Sequence, residues 1–346
     1  MPFEDNVPTA GGCPAAPGPL AVAHFGDPRS EYAALTGSAG LVDLRGRTRI
    51  ELAGADRATF LHNLCTNEIK KLAVGAGCEA FLLDARGHVL AHLFVICRPD
   101  SLVLETVPGQ EAFLLTHFDR YLIREKVELC GRSAEWSELL LAGPDAPNVI
   151  AKLTPGAPFP AARLGNEAVT LAGRAATLVR VELTRPFGCL ILCRHDDVAA
   201  IWQALADAGA KPCGTDAFET ARVESGIPFY GPDIGDKNLP QEVNRSSIAI
   251  SFVKGCYLGQ ETVARIDALG HVNKTLAGVR FGGTAVPSAG TELTAGGQPV
   301  GQVTSAVFSP RSDAPLALAY LRRGSEAPGT ELDCAFGRAE VTALPV

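Results

Sequence analysis

Two segments of this 346-residue chain gather residue types able to do chemistry. The first opens Arg222-Val223-Glu224-Ser225-Gly226. The second is Lys254-Gly255-Cys256-Tyr257-Leu258-Gly259-Gln260-Glu261. Glu224 falls near the C-terminal end of a predicted helix, where the macrodipole disfavours a carboxylate. A carboxylate fixed there can accept paired hydrogen bonds from an amidine-like heterocycle edge, such as that of a pterin. The plain alternative is a tolerated surface glutamate. Cys256 lies between Gly255 and Gly259, so the backbone can turn sharply and leave the thiol clear. It precedes a predicted helix, Gln260–Leu269, with Val263, Ile266 and Leu269 inward, and Lys254 is two residues away. Both features favour a thiolate and make Cys256 a candidate reactive thiol. The alternative is a small apolar cysteine packed in a core.

Other pairs carry less. His88 and His92, like Cys189 and Cys193, lie four residues apart on predicted strands, where the separation is about 13 Å. One zinc ion or one disulfide cannot bridge that distance, so no metal site is assigned. No phosphate-binding glycine loop, dinucleotide fingerprint or Gly-x-Ser-x-Gly elbow occurs.

The elements that must position these residues follow from apolar periodicity. A short helix around Glu31–Leu35 precedes a strand, Thr48–Leu52. Asp56 is a plausible N-cap for a helix carrying Phe60, Leu61 and Leu64 on one face. Ala80–Asp84 and His88–Cys97 read as a hairpin turning at Arg86-Gly87, and Gln110–Leu122 as an amphipathic helix. Strands at Leu139–Ala142, Ala176–Leu183 and Gly188–Cys193 alternate with helices near Pro147–Leu153, Asp196–Ala208 and Asp216–Ser225. This order predicts α+β layers, open sheets with helices on one face. After Gly270, short strands (Lys274–Phe281, Glu292–Thr294, Val300–Val307, Leu316–Leu321, Val341–Leu344) predict a small all-β barrel or sandwich. The expected organisation is a loose tail over residues 1–20, an α+β region over 21–270 and a β module over 271–346.

Composition narrows the function class. With 47% hydrophobic and 20% charged residues the chain is globular, not disordered. A net charge of −7 argues against a general nucleic-acid or anionic-membrane surface. Ten cysteines are too few for a disulfide scaffold. No secretory leader and no run of about 20 apolar residues is visible. A cytoplasmic location, with neither direct nucleic acid nor membrane as partner, is the expectation.

The Lys254–Glu261 stretch, continued by Ala264-Arg265, resembles the hallmark of the YgfZ-type folate-binding proteins, relatives of the glycine-cleavage T-protein (aminomethyltransferase). Leu52-Ala53-Gly54-Ala55-Asp56-Arg57, Phe60-Leu61 and Thr66-Asn67 resemble that family's early segment, and the resemblance runs from about Ala21 to the end. It implies two interleaved ferredoxin-like α+β subdomains and a C-terminal barrel, arranged as a three-part ring around tetrahydrofolate or a one-carbon derivative. It implies folate contacts from Glu224, Lys254, Tyr257, Gln260 and Arg265. It also implies a role in supporting iron–sulfur enzymes or their assembly, tRNA-modifying enzymes among them. One departure bears on enzyme status. T-proteins carry two successive aspartates after the first hairpin turn, and the second assists aminomethyl transfer. Ala91 and His92 stand there instead, which weighs against that transfer because an imidazole is not a fixed anion. The alternatives are a folate-dependent aminomethyl or methyl transferase or demethylase with His92 as base, and an interaction scaffold with a vestigial folate site.

Overall fold

The computed structural model describes residues 22–346, so the tail expected over residues 1–20 lies outside the described residues. The fold is α+β with a closed C-terminal β-barrel. The chain forms two compact units, each drawn from separate stretches of sequence. One gathers the residues up to Arg49 with Arg132–Ala221; the other gathers Ile50–Gly131 with Arg222–Val346.

The first unit is built on a six-stranded sheet ordered Lys211–Cys213, Gly40–Asp43, Trp136–Ala142, Gly188–Arg194, Arg174–Val181, Asn166–Leu171. Only the pairing of the first two is parallel. Val198, Ile201, Trp202 and Leu205 form the apolar stripe of the helix Val198–Asp207, a spacing of three to four residues that keeps them on one side. They pack with Ala146, Val149 and Ile150 onto Leu139, Leu141, Leu178, Cys189, Ile191 and Cys193. Cys189 and Cys193 are therefore buried together on one sheet face, as apolar side chains. The helix Pro28–Gly37 starts where Asp27 accepts a hydrogen bond from the Arg29 amide at 3.1 Å and Pro28 presets the first turn.

In the second unit the sheet order is Gly77–Leu83, Val89–Cys97, Ser101–Thr106, Thr48–Ala53, Glu128–Gly131. The predicted hairpin forms, turning at Gly87 with φ +88°. Its second strand begins at Val89 rather than His88, because the His88 amide instead donates to Asp84 Oδ1 at 2.8 Å. Alternation sends Ala80, Leu82, Ala91, Leu93 and Val95 to one face, against Phe60, Leu61, Leu64, Leu114 and Phe118. Asp56 does not cap the Arg57–His62 helix; its Oδ2 accepts from the Lys126 amide at 2.8 Å. The opposite face, bearing Phe81, Leu83 and Val89, is covered by Ile234, Val243, Ala249, Ile250, Tyr257 and Val263. In the helix Gln260–Leu269 only Val263 is buried, and Leu269 is 61% exposed, contrary to the inward expectation. A single anchoring residue suffices because the loop before that helix is fixed by polar contacts, described below.

The barrel closes in the order Lys274–Phe281, Ala314–Arg322, Gln298–Ser309, Glu292–Ala295, Glu331–Cys334, Gly337–Thr342. Its interior holds Val279, Phe281, Leu293, Val303, Leu321, Leu332 and Val341. Closure leaves no strand edge in need of a partner.

Candidate functional site

The Lys254–Glu261 loop is held from both ends. Lys254 is buried, and its ammonium donates to the carbonyls of His62 and, at 2.6 Å, Cys65. Both carbonyls lie where the Arg57–His62 helix ends, so a cation meets the negative end of the helix. Burial pushes the Lys254 pKa down from its ordinary value. The Tyr257 ring lies beneath the same ammonium, 4.6 Å from its centroid, and burial pushes its phenol up to about 12. The Leu258 amide donates to Asn63 O at 3.0 Å. Gly259 adopts φ +79°, and a Cβ there would come within 2.6 Å of the Asp84 carbonyl, so only glycine lets the loop meet the hairpin turn so closely. From this scaffold Cys256 emerges exposed. Gln260 begins the next helix, half-buried, and Arg265 is exposed on it.

Thr66-Asn67 fastens the neighbouring segment. Thr66 Oγ1 donates to Ala249 O at 2.6 Å and accepts from the Phe81 amide at 2.9 Å. Asn67 Nδ2 bridges Glu79 O at 2.7 Å and Ile248 O at 2.9 Å.

Glu224 is buried at the end of the Thr215–Glu224 helix and turned onto the barrel. Its Oε1 accepts from Ser309 Oγ and, at 3.4 Å, from the Arg311 amide. Arg222 donates to Asp233 Oδ2 at 2.8 Å, to Ile227 O at 2.6 Å and to Ser305 Oγ at 3.0 Å. Asp233 Oδ1 in turn accepts from Thr304 Oγ1 and Ser305 Oγ, each at 2.6 Å. Both charged residues of the Arg-Val-Glu motif thus join its helix to the Gln298–Ser309 strand or the turn that follows it.

A third cluster was not predicted as a unit. Glu79 is buried beside Arg245, which grips both carboxylate oxygens, Nη2 to Oε2 at 2.7 Å and Nε to Oε1. His92 Nε2 reaches Oε1 at 2.7 Å. Burial alone would raise the Glu79 carboxyl, but the bonds and charges of Arg245 and His92 hold it well below the usual carboxylate range. The His92 ring stacks on Phe81 at 5.0 Å and meets the edge of Phe94 at 5.8 Å. Ala91, its chain neighbour, points to the opposite, apolar face. The one sequence signal for Glu79 was a charge set directly before the apolar run Ala80–Leu83; Arg245 gave none. Among the described residues no group of three or more His, Cys, Asp or Glu side chains could hold a metal ion.

Comparison with known proteins adds the lineage. Residues 23–254 match the GCVT N-terminal domain, and residues 274–346 match the glycine cleavage T-protein C-terminal barrel domain. The chain belongs to the glycine cleavage T-protein family. An aminomethyltransferase of Symbiobacterium thermophilum is 33% identical over 322 residues, covering 88% of this chain and 84% of that protein. One from Streptomyces avermitilis is 29% identical over 318 residues, with the same coverage. The crystal structure of the glycine cleavage system aminomethyltransferase T of Bartonella henselae superposes with a TM-score of 0.82 at 21% identity, covering 91% of this chain and 88% of that one. That last likeness is one of fold. Within this T-protein-family fold, Glu224, Lys254 and Tyr257 are buried and Gln260 is partly so, while Cys256 and Arg265 face outward.

Proposed function

We propose that this T-protein-family chain is a tetrahydrofolate-binding protein of the YgfZ type that supports iron–sulfur enzymes, tRNA-modifying ones among them, rather than an aminomethyltransferase. The observation that carries the reading is the Lys254–Glu261 loop. Its lysine, tyrosine and Gly259 are engaged in anchoring, and its single thiol stands exposed. A fixed backbone presenting one accessible thiol suits transient sulfur or iron chemistry with a partner protein. Against aminomethyl transfer stands His92, an imidazole where the family resemblance implies an acid.

In this reading the reduced folate binds at Glu224, a buried carboxylate that already accepts hydrogen bonds from Ser309 and the Arg311 amide. A pterin edge would share it with Ser309. Calorimetry with tetrahydrofolate tests this. Wild type binds, and Glu224→Gln binds about ten- to a hundredfold more weakly, the cost of one charge-assisted contact. Equal affinities would put the ligand elsewhere.

A one-carbon transferase or demethylase is the second reading, favoured by the carboxylate-bound imidazole of His92, which suits a base. Supplying the glycine-cleavage partners separates the two. Methylene-tetrahydrofolate formed at roughly 1–10³ per second would establish the transferase. Its absence, together with cluster-enzyme defects in a deletion strain rescued only by a folate-binding copy, supports the first reading. Rescue by Glu224→Gln would favour a scaffold.

A further inference from the structure

The loop that leads into Lys254 carries an apolar surface outside the proposed folate contacts. Ile248 is 38% exposed, Phe252 46% and Val253 95%. Cys256, three positions on, is exposed as well. A single apolar side chain in water is ordinary, but several together on one loop mark a contact surface. The loop is held so that it cannot fold them away. Before the Phe252-Val253 pair, the Ile248 carbonyl accepts from Asn67 Nδ2 at 2.9 Å and the Ala249 carbonyl from Thr66 Oγ1 at 2.6 Å. The Ser251 amide donates to Thr66 O at 2.9 Å. After the pair, Lys254 is buried with its ammonium on the Cys65 carbonyl at 2.6 Å. Phe252 and Val253 are thus presented outward between two fixed ends.

The rim of this surface is cationic. The same hydrogen bonds lay the chain at Thr66-Asn67 along the loop, and four residues later it brings exposed Lys70 and Lys71. The charge of Lys70 is felt at both His62 and Lys254, and that of Lys71 at His62, so both lysines stand near the loop's buried anchor. Glu68, the acid of this segment, is engaged within it. Its Oε1 lies 3.1 Å from His62 Nδ1 and its Oε2 4.0 Å from the Lys71 ammonium. Glu261 is exposed in the first turn of the helix that follows Cys256. Lys70, Lys71 and Lys254 against Glu68 and Glu261 leave a positive balance here, on a chain of net charge −7. A second copy docked here by two-fold symmetry would set Lys70 and Lys71 against their own counterparts. A phosphate backbone would engage the lysines and leave Ile248 and Val253 in water. A protein surface with an apolar centre and a carboxylate rim satisfies both.

We propose that Ile248, Phe252 and Val253, rimmed by Lys70 and Lys71, form the docking surface for an acidic partner protein and bring it against Cys256. That the partner is an iron–sulfur enzyme or assembly protein rests on the reading given above; the surface and its charge preference do not. Rim charges of this kind act mainly on the rate of encounter and are screened by salt, whereas the apolar centre governs how long the complex lasts.

Fluorescein-labelled amphipathic peptides, titrated with the full-length protein and read by anisotropy, test the surface. One carries leucines on one face and glutamates on the other; a second has lysines for the glutamates, and a third serines for the leucines. The first is expected to bind and to weaken as salt is raised, with the other two about tenfold weaker. Phe252→Ser with Val253→Ser, and separately Lys70→Glu with Lys71→Glu, should each weaken the first peptide about tenfold. Unfolding at the wild-type temperature checks that these changes at exposed positions spare the fold. Absent binding of the first peptide overturns the proposal, as does equal binding of the lysine peptide or unchanged binding by either double variant. A tighter complex with oligothymidylate, or a dimer in sedimentation that the serine variant abolishes, overturns it too. In the deletion strain, the serine variant should bind tetrahydrofolate as wild type does yet fail to restore the cluster enzymes; full rescue overturns the partner role. A deletion strain without cluster-enzyme defects sinks the iron–sulfur reading alone, and the peptide titrations still decide the surface.

Discussion

Each unit buries a strand glutamate against two nitrogen-bearing side chains, and the two sites differ in what they can do. In the first unit Glu138 meets Arg47 at 3.1 Å and Arg49 at 2.7 Å, both from a segment that enters beside it. Arg49 also donates to Trp136 O at 2.7 Å. Both partners are guanidinium groups that keep their proton under all ordinary conditions. The site can only hold the chain together. In the second unit Glu79 meets one guanidinium and one imidazole. Exchanging an arginine for a histidine in the same buried frame turns a fixed contact into one with a second, chemically available nitrogen.

Glu138→Ala leaves two arginines buried without an anion and should cost about 3–5 kcal/mol of stability in chemical denaturation. Glu79→Ala should fall at the lower end, about 3 kcal/mol, because Arg245 keeps a 10% exposed side chain while that of Arg49 is 1% exposed. Equal tolerance of both changes would mean that neither cluster is a desolvated ion pair. Lys254→Met removes a charged donor from two helix-end carbonyls, and about 1.5–3 kcal/mol should be lost. The loop would loosen with it, visible as faster hydrogen exchange at Leu258. Ser309→Ala should cost only about 1 kcal/mol, and a far larger loss would mark Glu224 as a structural bolt of the barrel.

Alkaline pH acts on buried thiols in both units, Cys78 and Cys97 of the second being raised by burial as well. Burial pushes the thiols of Cys189, Cys193 and Cys213 up to about 12, and Cys65 in the second unit up to about 11. An unfolded chain releases these protons earlier, near 9, so the folded state binds more protons in that window. Their stabilisation is complete below about pH 9 and is lost as pH rises towards 12. Cys189→Ala with Cys193→Ala should flatten that decline even if it lowers stability at pH 7. A curve of unchanged slope would show that these thiols do not govern it. The smallest perturbation is chemical labelling. Limiting iodoacetamide at pH 7 should modify Cys256 first among the cysteines at 65, 78, 97, 130, 189, 193, 213, 256 and 334, since it alone of these is exposed.

Much of the fold was legible because apolar alternation and helical spacing are local signals. The hairpin, the Val198–Asp207 helix and the start of the barrel at Lys274 all follow from them. Short strands escaped. Gly40–Asp43, Lys211–Cys213 and Glu128–Gly131 span three or four residues each, too few to display a period, and are fixed by their sheet neighbours. The site divides similarly. The Lys254–Glu261 stretch is contiguous and specific, so its importance was readable, although the anchoring direction of Lys254 was not. Nothing local announces that Glu79 and Arg245 form a pair, because 166 residues separate them.

That separation also sets a timetable for the nascent chain. The second unit cannot be completed until Arg222–Val346 has been made, long after Ile50–Gly131 has left the ribosome. At about 5–20 residues per second, Glu79 precedes Arg245 by about 10–30 s. During that interval the Gly77–Cys97 hairpin can settle its apolar face on Phe60, Leu61 and Phe118, while Phe81, Leu83 and Val89 wait uncovered on the other. Such a half-dressed sheet is sticky. The carboxylate and imidazole in its middle keep that waiting surface hydrated, so the groups that later meet Arg245 first act as solubilisers of an unfinished protein.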